Sequence, residues 1–307
     1  MRQSAVVGFS AALRGQPVNS ATDIAAATEC HWDIDGLRLC GLSWGPADGR
    51  PVLALHGWQD NAASFARLAP QLVGCRVVAV DLSGQGQSSF RSADATYQIW
   101  DDVPQLVTLM DQLGWQRCAL LGHSRGGIIS TLLAAAVPAR VSHLIMLDGI
   151  VPEAVKETAF PYQLGRFVSE RDSALARRAR RYPTREAAVA ARVRNGFQQP
   201  CAEMLASRGL EGDSELGWAW RIDPRLRAAS AVKMTDGQIR ATLGAIRAPA
   251  LLLRAGRGMM QHEPLVELAR SHIPQLRVAD VDGGHHFHME AVVDQWIPDL
   301  LAFLAQE

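Results

Sequence analysis

The sequence predicts an α/β domain built on a doubly wound, mostly parallel sheet with a helical insertion, and three observations carry that expectation. Short apolar runs alternate with helix-length periodic segments from residue 50 onward. The rhythm stops across residues 152–235, where helix-like stretches follow one another. One apolar run ends in Gly122-His123-Ser124-Arg125-Gly126 and passes straight into a helical pattern.

Taken in order, residues 1–27 read as an N-terminal arm. Arg2 precedes only a short apolar stretch and Arg14 follows soon after, a weak basis for a secretory signal. CHWDIDGLRLCGLSWG alternates around Asp35-Gly36, the pattern of an antiparallel hairpin. PVLALHG, CRVVAVD, RCALLGHS, SHLIMLDG and APALLLRAG are rich in Val, Leu, Ile and Ala. Such short runs suit strands covered on both faces in a parallel sheet. Periodic segments at 61–72, 98–113 and 125–137 are long enough to be crossover helices. Helix-like stretches at 161–181, 184–195 and 198–208 fill the insertion, which is too long for a structureless loop. It reads as a helical cap over the ligand edge of the sheet. A strand at 250–255, a helix from about 262, a strand near 275–280 and a last helix around 289–305 complete the chain. The expected organisation is therefore a core from 28–151 and 236–307, with a cap at 152–235.

Composition narrows the partners. Basic and acidic side chains number 31 each, so the formal net charge is zero and nothing favours nucleic acid or an anionic membrane surface. No apolar run reaches the roughly 18 residues of a membrane span, and no integral membrane association is expected. Cys30, Cys40, Cys75, Cys118 and Cys201 are odd in number and widely spaced, without metal-ligand pairing or a complete disulfide framework. A reducing, cytoplasmic setting follows as the expectation, with Cys75 and Cys118 acting as small buried hydrophobes.

The chemistry-bearing motif is Gly122-x-Ser124-x-Gly126. Glycines on both sides let strand and helix pack closely around an abrupt turn that lifts the serine hydroxyl above the sheet. Ser124 is the predicted nucleophile. Acyl transfer also needs donors for the developing oxyanion. The N–H of Arg125 at the helix start is one, and the N–H of Trp58, in the loop His56–Asp60, is the second. His56 is expected to brace that loop. His123, on the tight turn itself, lines the pocket or steadies the turn and is poorly placed as a base. Asp81 and Gly84-x-Gly86 lack the remaining pattern of a dinucleotide site and read as loop architecture.

A serine on such a turn calls for an acid and then a histidine later in the chain. In Asp280–Glu290, His285 is the preferred base, His286 the second choice, and His288 a packing residue. His285, His286, His288 and Asp282 also raise the question of a metal, but H-E-x-x-H spacing is absent, and serine chemistry needs neither metal nor cofactor. The acid is the harder assignment. After the 250–255 run, Met259 stands near the place where an aspartate is expected. Asp148, closing the preceding strand, is preferred, with Glu263 as the alternative.

The segments HGWQDNAASFARLAP at 56–70, AVDLSGQGQSS at 79–89, LLGHSRGG at 120–127, Leu147-Asp148-Gly149, WAWRIDPRLR at 218–227 and GGHHFHME at 283–290 together resemble the α/β-hydrolase superfamily. Within it the chain looks like the serine hydrolase-like proteins, a group related to the Kraken-type hydrolases. The resemblance implies serine-dependent hydrolysis of a small-molecule ester or related acyl compound. It carries over Ser124 and His285, and Asp148 matches the displaced-acid arrangement of related hydrolases. Thioesters and carbon–carbon bonds are alternative substrates, and a noncatalytic ligand-binding protein is an alternative of another class. Epoxide hydrolases and haloalkane dehalogenases share the scaffold but use an aspartate nucleophile, which Ser124 argues against.

Two further features concern the substrate. The predicted cap carries Arg166, Arg171, Arg177, Arg178, Arg180, Arg181, Arg185, Arg192 and Arg194 with few acidic partners. These read first as a solvated helical face, and second as an attraction for a carboxylate- or phosphate-bearing substrate. Trp58, Trp218 and Trp220 are candidates for an apolar substrate wall, with core packing equally open for the last two.

Overall fold

The computed structural model describes residues 27–306, so the expected N-terminal arm lies outside the described residues apart from Ala27. Strands β1 (Thr28–Ile34) and β2 (Leu37–Trp44) form the expected hairpin. Its two-residue turn needs positive φ at both positions, supplied by Asp35 at 53° and Gly36 at 76°. There follow β3 (Arg50–Leu55), β4 (Cys75–Val80), α1 (Val103–Gln112), β5 (Cys118–His123), α2 (Arg125–Ala136) and β6 (Val141–Leu147). After the insertion come α6 (Asp236–Ala245), β10 (Ala250–Arg257), α7 (Glu263–His272), β11 (Leu276–Gly284) and α8 (Ile297–Leu304). The eight strands run in the order β1-β2-β4-β3-β5-β6-β10-β11. Pairing is antiparallel in β1–β2 and β2–β4 and parallel in the rest.

Alternation along each strand divides the core in two. Leu53, Leu55, Val78, Val80 and Leu120 point to the face covered by α1, α2, α6 and α7, where Leu106, Ile129, Leu243 and Val266 meet them. Val52, Ala54, Val77, Ala79 and Leu121 point to the other face, against Phe65, Leu68 and the α8 residues Leu300 and Phe303. Cys75 and Cys118 are buried in these layers as small apolar side chains, and all five cysteines are free thiols.

The β3–β4 crossover is not the helix expected over 61–72. It forms two 3-10 turns, Ala62–Phe65 and Ala69–Gln71. Asn61 accepts the Ala63 N–H with its side chain, Pro70 has no N–H to extend a helical ladder, and Ala62–Phe65 are buried on every side. The last helix is likewise shorter than expected. Phe287–Met289 and Ala291–Gln295 are 3-10 turns, and α8 begins only at Ile297, with Pro298 in its first turn. The helix expected over 98–113 starts at Val103, beside Pro104.

The insertion holds the three expected helices, α3 (Phe160–Ala176), α4 (Arg185–Arg194) and α5 (Gln199–Gly209). It also holds an unexpected antiparallel sheet of β7 (Arg181–Tyr182), β8 (Leu210–Asp213) and β9 (Gly217–Trp220), in the order β7-β9-β8. Strands of two to four residues are too short to show a period. The insertion is tied to loops at the C-terminal ends of β3 and β4. Asn61 Nδ2 donates to the Leu205 carbonyl (3.0 Å), and Arg208 Nε pairs with Asp81 Oδ2 (2.9 Å) in a buried contact. Asp81 also accepts the N–H groups of Ala62 and Gln87, the architectural role expected of it.

Close packing of α2 under β3 depends on Gly126, where a Cβ would lie 2.0 Å from the Leu55 carbonyl oxygen and 2.7 Å from that of His56. Backbone atoms cannot swing aside. Gly126→Ala is expected to lower stability by about 1–3 kcal/mol, read as a reduced urea midpoint with an unchanged denaturant slope.

Candidate active site

Four described non-glycine residues have positive φ. Asp35 is in the hairpin turn; Gln59 (64°), Ser124 (50°) and Asp148 (49°) follow the C-terminal ends of β3, β5 and β6. Left-handed backbone costs roughly 1–3 kcal/mol at such residues and gathers where function demands a fixed geometry. Ser124, with ψ −117°, is the corner between β5 and α2. Its N–H donates to the Leu147 carbonyl (2.9 Å) and its carbonyl accepts the Ile128 N–H (3.1 Å), so both neighbours hold the corner.

The Arg125 N–H is the first of α2, a position with no intrahelical acceptor. Neither it nor the Trp58 N–H has a backbone partner among the described residues. The Trp58 loop is held from several sides. Leu82 N–H donates to His56 Nε2 (3.0 Å), which leaves His56 Nδ1 to donate to the Gly57 carbonyl (2.8 Å). His56 thus braces two loops as a neutral ring, and burial lowers its pKa. Gln59 N–H donates to Gln85 Oε1 (2.6 Å), and the Gln59 carbonyl accepts from Arg192. The Arg125 guanidinium turns away to the carbonyls of Tyr97 (2.9 Å) and Gln98 (3.3 Å), so only its backbone serves the serine turn.

Asp148 Oδ2 lies 2.6 Å from His285 Nδ1. The buried carboxylate also accepts N–H groups from Met259 (2.6 Å), Ala255 and Met260 (both 3.3 Å). The stretch that lacks an acid at Met259 therefore cradles one donated by β6, while the Met259 side chain itself is exposed. A Cβ on Gly258 would meet Asp148 Oδ2 at 2.2 Å, which explains the glycine beside the carboxylate. Glu263, the alternative acid, is ion-paired with Arg254, whose Nε also holds Asp280 at 2.6 Å. It is occupied elsewhere.

His123, next to Ser124 in sequence, donates from Nε2 to the His285 carbonyl (2.9 Å) and steadies the His285 loop as well as the turn. Its ring centroid lies 4.7 Å from His285, 5.3 Å from His286 and 4.1 Å from His288. Burial, then the neighbouring imidazoles, hold the His123 pKa well below the usual value. His288 is likewise buried and kept neutral, the packing role expected of it. His286 stacks on Phe197 at 3.8 Å, and burial brings its pKa down to about 4. Among the described residues no hydrogen bond joins the Ser124 hydroxyl to His285; such bonds are commonly long in unliganded active sites and tighten with substrate.

The nitrogens that could hold a metal belong to His123, His285 and His286, within 4.8 Å of one another. This differs from the grouping with His288 and Asp282: His288 is packed in the core and Asp282 is exposed. Two of the three rings already hold hydrogen bonds, to the His285 carbonyl and to Asp148. His123 was invisible to spacing because it lies 162 residues from His285. Ser124, Asp148, Val151, Met259 and Met260 line one cleft of about 950 Å³. None of Trp58, Trp218 and Trp220 lines it. Trp220 instead faces Arg192, whose guanidinium stands 4.4 Å from its ring.

Residues 50–292 match the alpha/beta hydrolase fold family, the greater part of the chain. The chain belongs to that family. It is 29% identical over 293 residues to a serine hydrolase-like protein of Dictyostelium discoideum, covering 89% of this chain and 80% of the relative. A serine hydrolase-like protein of Danio rerio is 29% identical over 276 residues, covering 86% and 84%. The crystal structure of a hypothetical protein from Pseudomonas aeruginosa superposes with a TM-score of 0.86 at 36% identity, covering 91% of this chain and 99% of that one. Both of these curated relatives are named serine hydrolase-like proteins. No helix among the described residues of this chain is long and apolar enough to cross a membrane.

The neutral histidines of this hydrolase carry a pH signature. His56, His123, His286 and His288 have lowered pKa values in the fold, so below the unfolded value of roughly 6.5 the unfolded chain binds protons the native state refuses. Stability therefore falls as pH falls, by up to about 1.4 kcal/mol per pH unit for each histidine. For His286 the window runs from that unfolded value down to about 4. Urea unfolding between pH 7 and pH 5 should show the decline, and His286→Asn should make it shallower by that residue's share while His56, His123 and His288 keep the rest.

Proposed function

We propose that this protein hydrolyses a small-molecule carboxylic ester or related acyl compound through an acyl-enzyme, with Ser124 as nucleophile and His285 as base. The observation that carries the reading is the 2.6 Å contact between His285 Nδ1 and a buried Asp148 carboxylate, beside a serine held at φ 50°. Asp148 accepts a hydrogen bond from His285 Nδ1–H, which keeps the proton on that nitrogen and leaves Nε2 as the proton acceptor. Ser124 Oγ attacks the acyl carbonyl and its proton passes to Nε2. The carbonyl oxygen becomes negative and takes the N–H groups of Arg125 and Trp58. As the tetrahedral centre collapses, imidazolium protonates the departing alcohol. Water then gives a proton to the same nitrogen, attacks the acyl carbon and releases the carboxylic acid as Ser124 regains its proton. No step calls for a cofactor. The insertion over 152–235 acts as a cap that shapes substrate access, a role supported by its contacts with the β3 and β4 loops.

A fluorophosphonate should label the wild type, and Ser124→Ala should abolish labelling. Against a panel of esters, thioesters and lactones, Asp148→Asn should lower kcat by about 10³–10⁴-fold, while Glu263→Gln should stay within about twofold because its partner is Arg254. Labelling that persists in Ser124→Ala, or a large loss confined to Glu263→Gln, overturns the assignment. Tight binding of a nonhydrolysable ligand without turnover of any panel member points to a binding protein.

A further inference from the structure

A second cavity, of about 340 Å³, is lined by Gln59, Arg178, Arg180, Arg192, Trp220 and Arg227 among others and shares no lining residue with the Ser124 cleft. None of its lining residues is acidic. The sequence offered the arginines of the insertion as a solvated face, and part of that reading holds. Arg166 pairs with Glu170 one turn away and Arg181 donates to backbone carbonyls of Leu216 and Gly217. Arg178 Nη1 likewise donates to the nearby carbonyls of Ala176 (3.1 Å) and Arg177 (3.3 Å), but Arg178, Arg180 and Arg192 also line the cavity. They converge with Arg227, which enters from the turn Pro224–Arg227 after β9.

Charge is left uncompensated there. Arg192 stands 3.8 Å from Asp60 Oδ1 and is fixed between the rings of Trp220 and Phe197, at 4.4 and 5.3 Å. The other groups near Asp60, His123 and His286, have pKa values lowered by burial and add no cation near neutral pH. Asp60 therefore offsets the charge of Arg192 alone. Arg178, Arg180 and Arg227 have no acidic partner within ion-pair distance among the described residues; Arg180 lies over the Tyr182 ring at 5.0 Å, and Arg227 Nη2 reaches Gln59 Oε1 at 3.4 Å. Guanidinium groups gathered around a concave site repel one another unless an anion sits among them, and their forked N–H groups match carboxylate and phosphate oxygens in pairs.

The cavity also has a defined relation to the proposed chemistry. Arg192 and Arg227 both bond Gln59, the residue after Trp58, whose N–H is the proposed oxyanion donor. We propose that this cavity binds a carboxylate or phosphate group carried by the substrate, so that the hydrolase acts on anionic acyl compounds. The proposal rests on the ester-hydrolase reading for the placement of the reacting carbonyl.

The test compares kcat/KM for 4-nitrophenyl monoesters of a dicarboxylic acid with the same compounds capped as methyl esters. A parallel series carries a phosphonate at the same distance, and a third series places the carboxylate on the leaving alcohol. An anionic preference of about tenfold at low ionic strength is expected in at least one series, shrinking in 0.5 M salt as exposed charges are screened. Arg178 and Arg180 are the residues to change, since neither touches the Trp58 loop. Arg178→Gln with Arg180→Gln should bring the preference to about twofold, the double lysine variant should keep most of it, and Arg194→Gln, outside the cavity, should leave it intact. Calorimetry of glutarate and of inorganic phosphate with Ser124→Ala reads the cavity without turnover, and binding should vanish in the double glutamine variant. Fluorophosphonate labelling with no anionic preference and no calorimetric binding overturns the anion site and leaves the hydrolase reading standing. Calorimetric binding that needs Arg178 and Arg180, in a protein that fluorophosphonate never labels, does the reverse.

Discussion

A carboxylate sealed from water is stable only if its lone pairs are filled, and Asp148 meets that condition by borrowing its surroundings from another strand. Removing an ionised carboxyl group from water costs several kcal/mol unless hydrogen bonds replace the hydration it loses. Three N–H groups from Ala255, Met259 and Met260 and the Nδ1 of His285 converge on Asp148 to do so. The loop after β10 must wrap the carboxylate closely, which needs Gly258, and Asp148 must adopt φ 49° to present it. The same contacts aim the imidazole. Loop, strand end and imidazole are thus one hydrogen-bonded unit, and the rest of the site is arranged around it.

That unit is possible because of where parallel strands end. β3, β5, β6 and β10 finish at one edge of the sheet, and β3, β5 and β6 each hand over to a residue forced into positive φ or a loop containing one. Their close spacing leaves room for little but glycine around the Ser124 corner, as Gly126 shows against Leu55. The two apolar layers on either face of the sheet supply the stability against which these strained residues are held.

The legible parts of the sequence were those in which one short-range signal had one meaning. Five apolar runs named the central strands because strands buried on both faces leave no alternation to misread. The contact between Asp148 and His285 was legible because Met259 stands where a carboxylate was expected and Asp148 stood at the preceding strand end. Residues 61–72 misled because burial on all sides and Pro70 give 3-10 turns to a segment with helical apolar spacing. The small β7-β9-β8 sheet was hidden by the brevity of its strands. Contacts across the chain were hidden more deeply. Nothing local joins His123 to the His285 carbonyl or Asn61 to Leu205, because those pairings exist only once the sheet and insertion have formed.

The distribution of charge around the site follows from the same burial. Packing four histidines against one another and against Asp148, Asp60 and Phe65 is tolerable only while most of the rings are uncharged, and desolvation ensures it for His123, His286 and His288. Asp60 then faces neutral rings on one side and a single fixed guanidinium, Arg192, on the other. Had those histidines been protonated, Asp60 would be shared among several cations and Arg192 would lose its counter-charge. Their neutrality keeps Arg192 paired, and through the Gln59 carbonyl keeps the Trp58 loop in place. The electrostatics of the buried histidine cluster and the geometry of the proposed oxyanion donor are therefore linked through two side chains, Asp60 and Arg192.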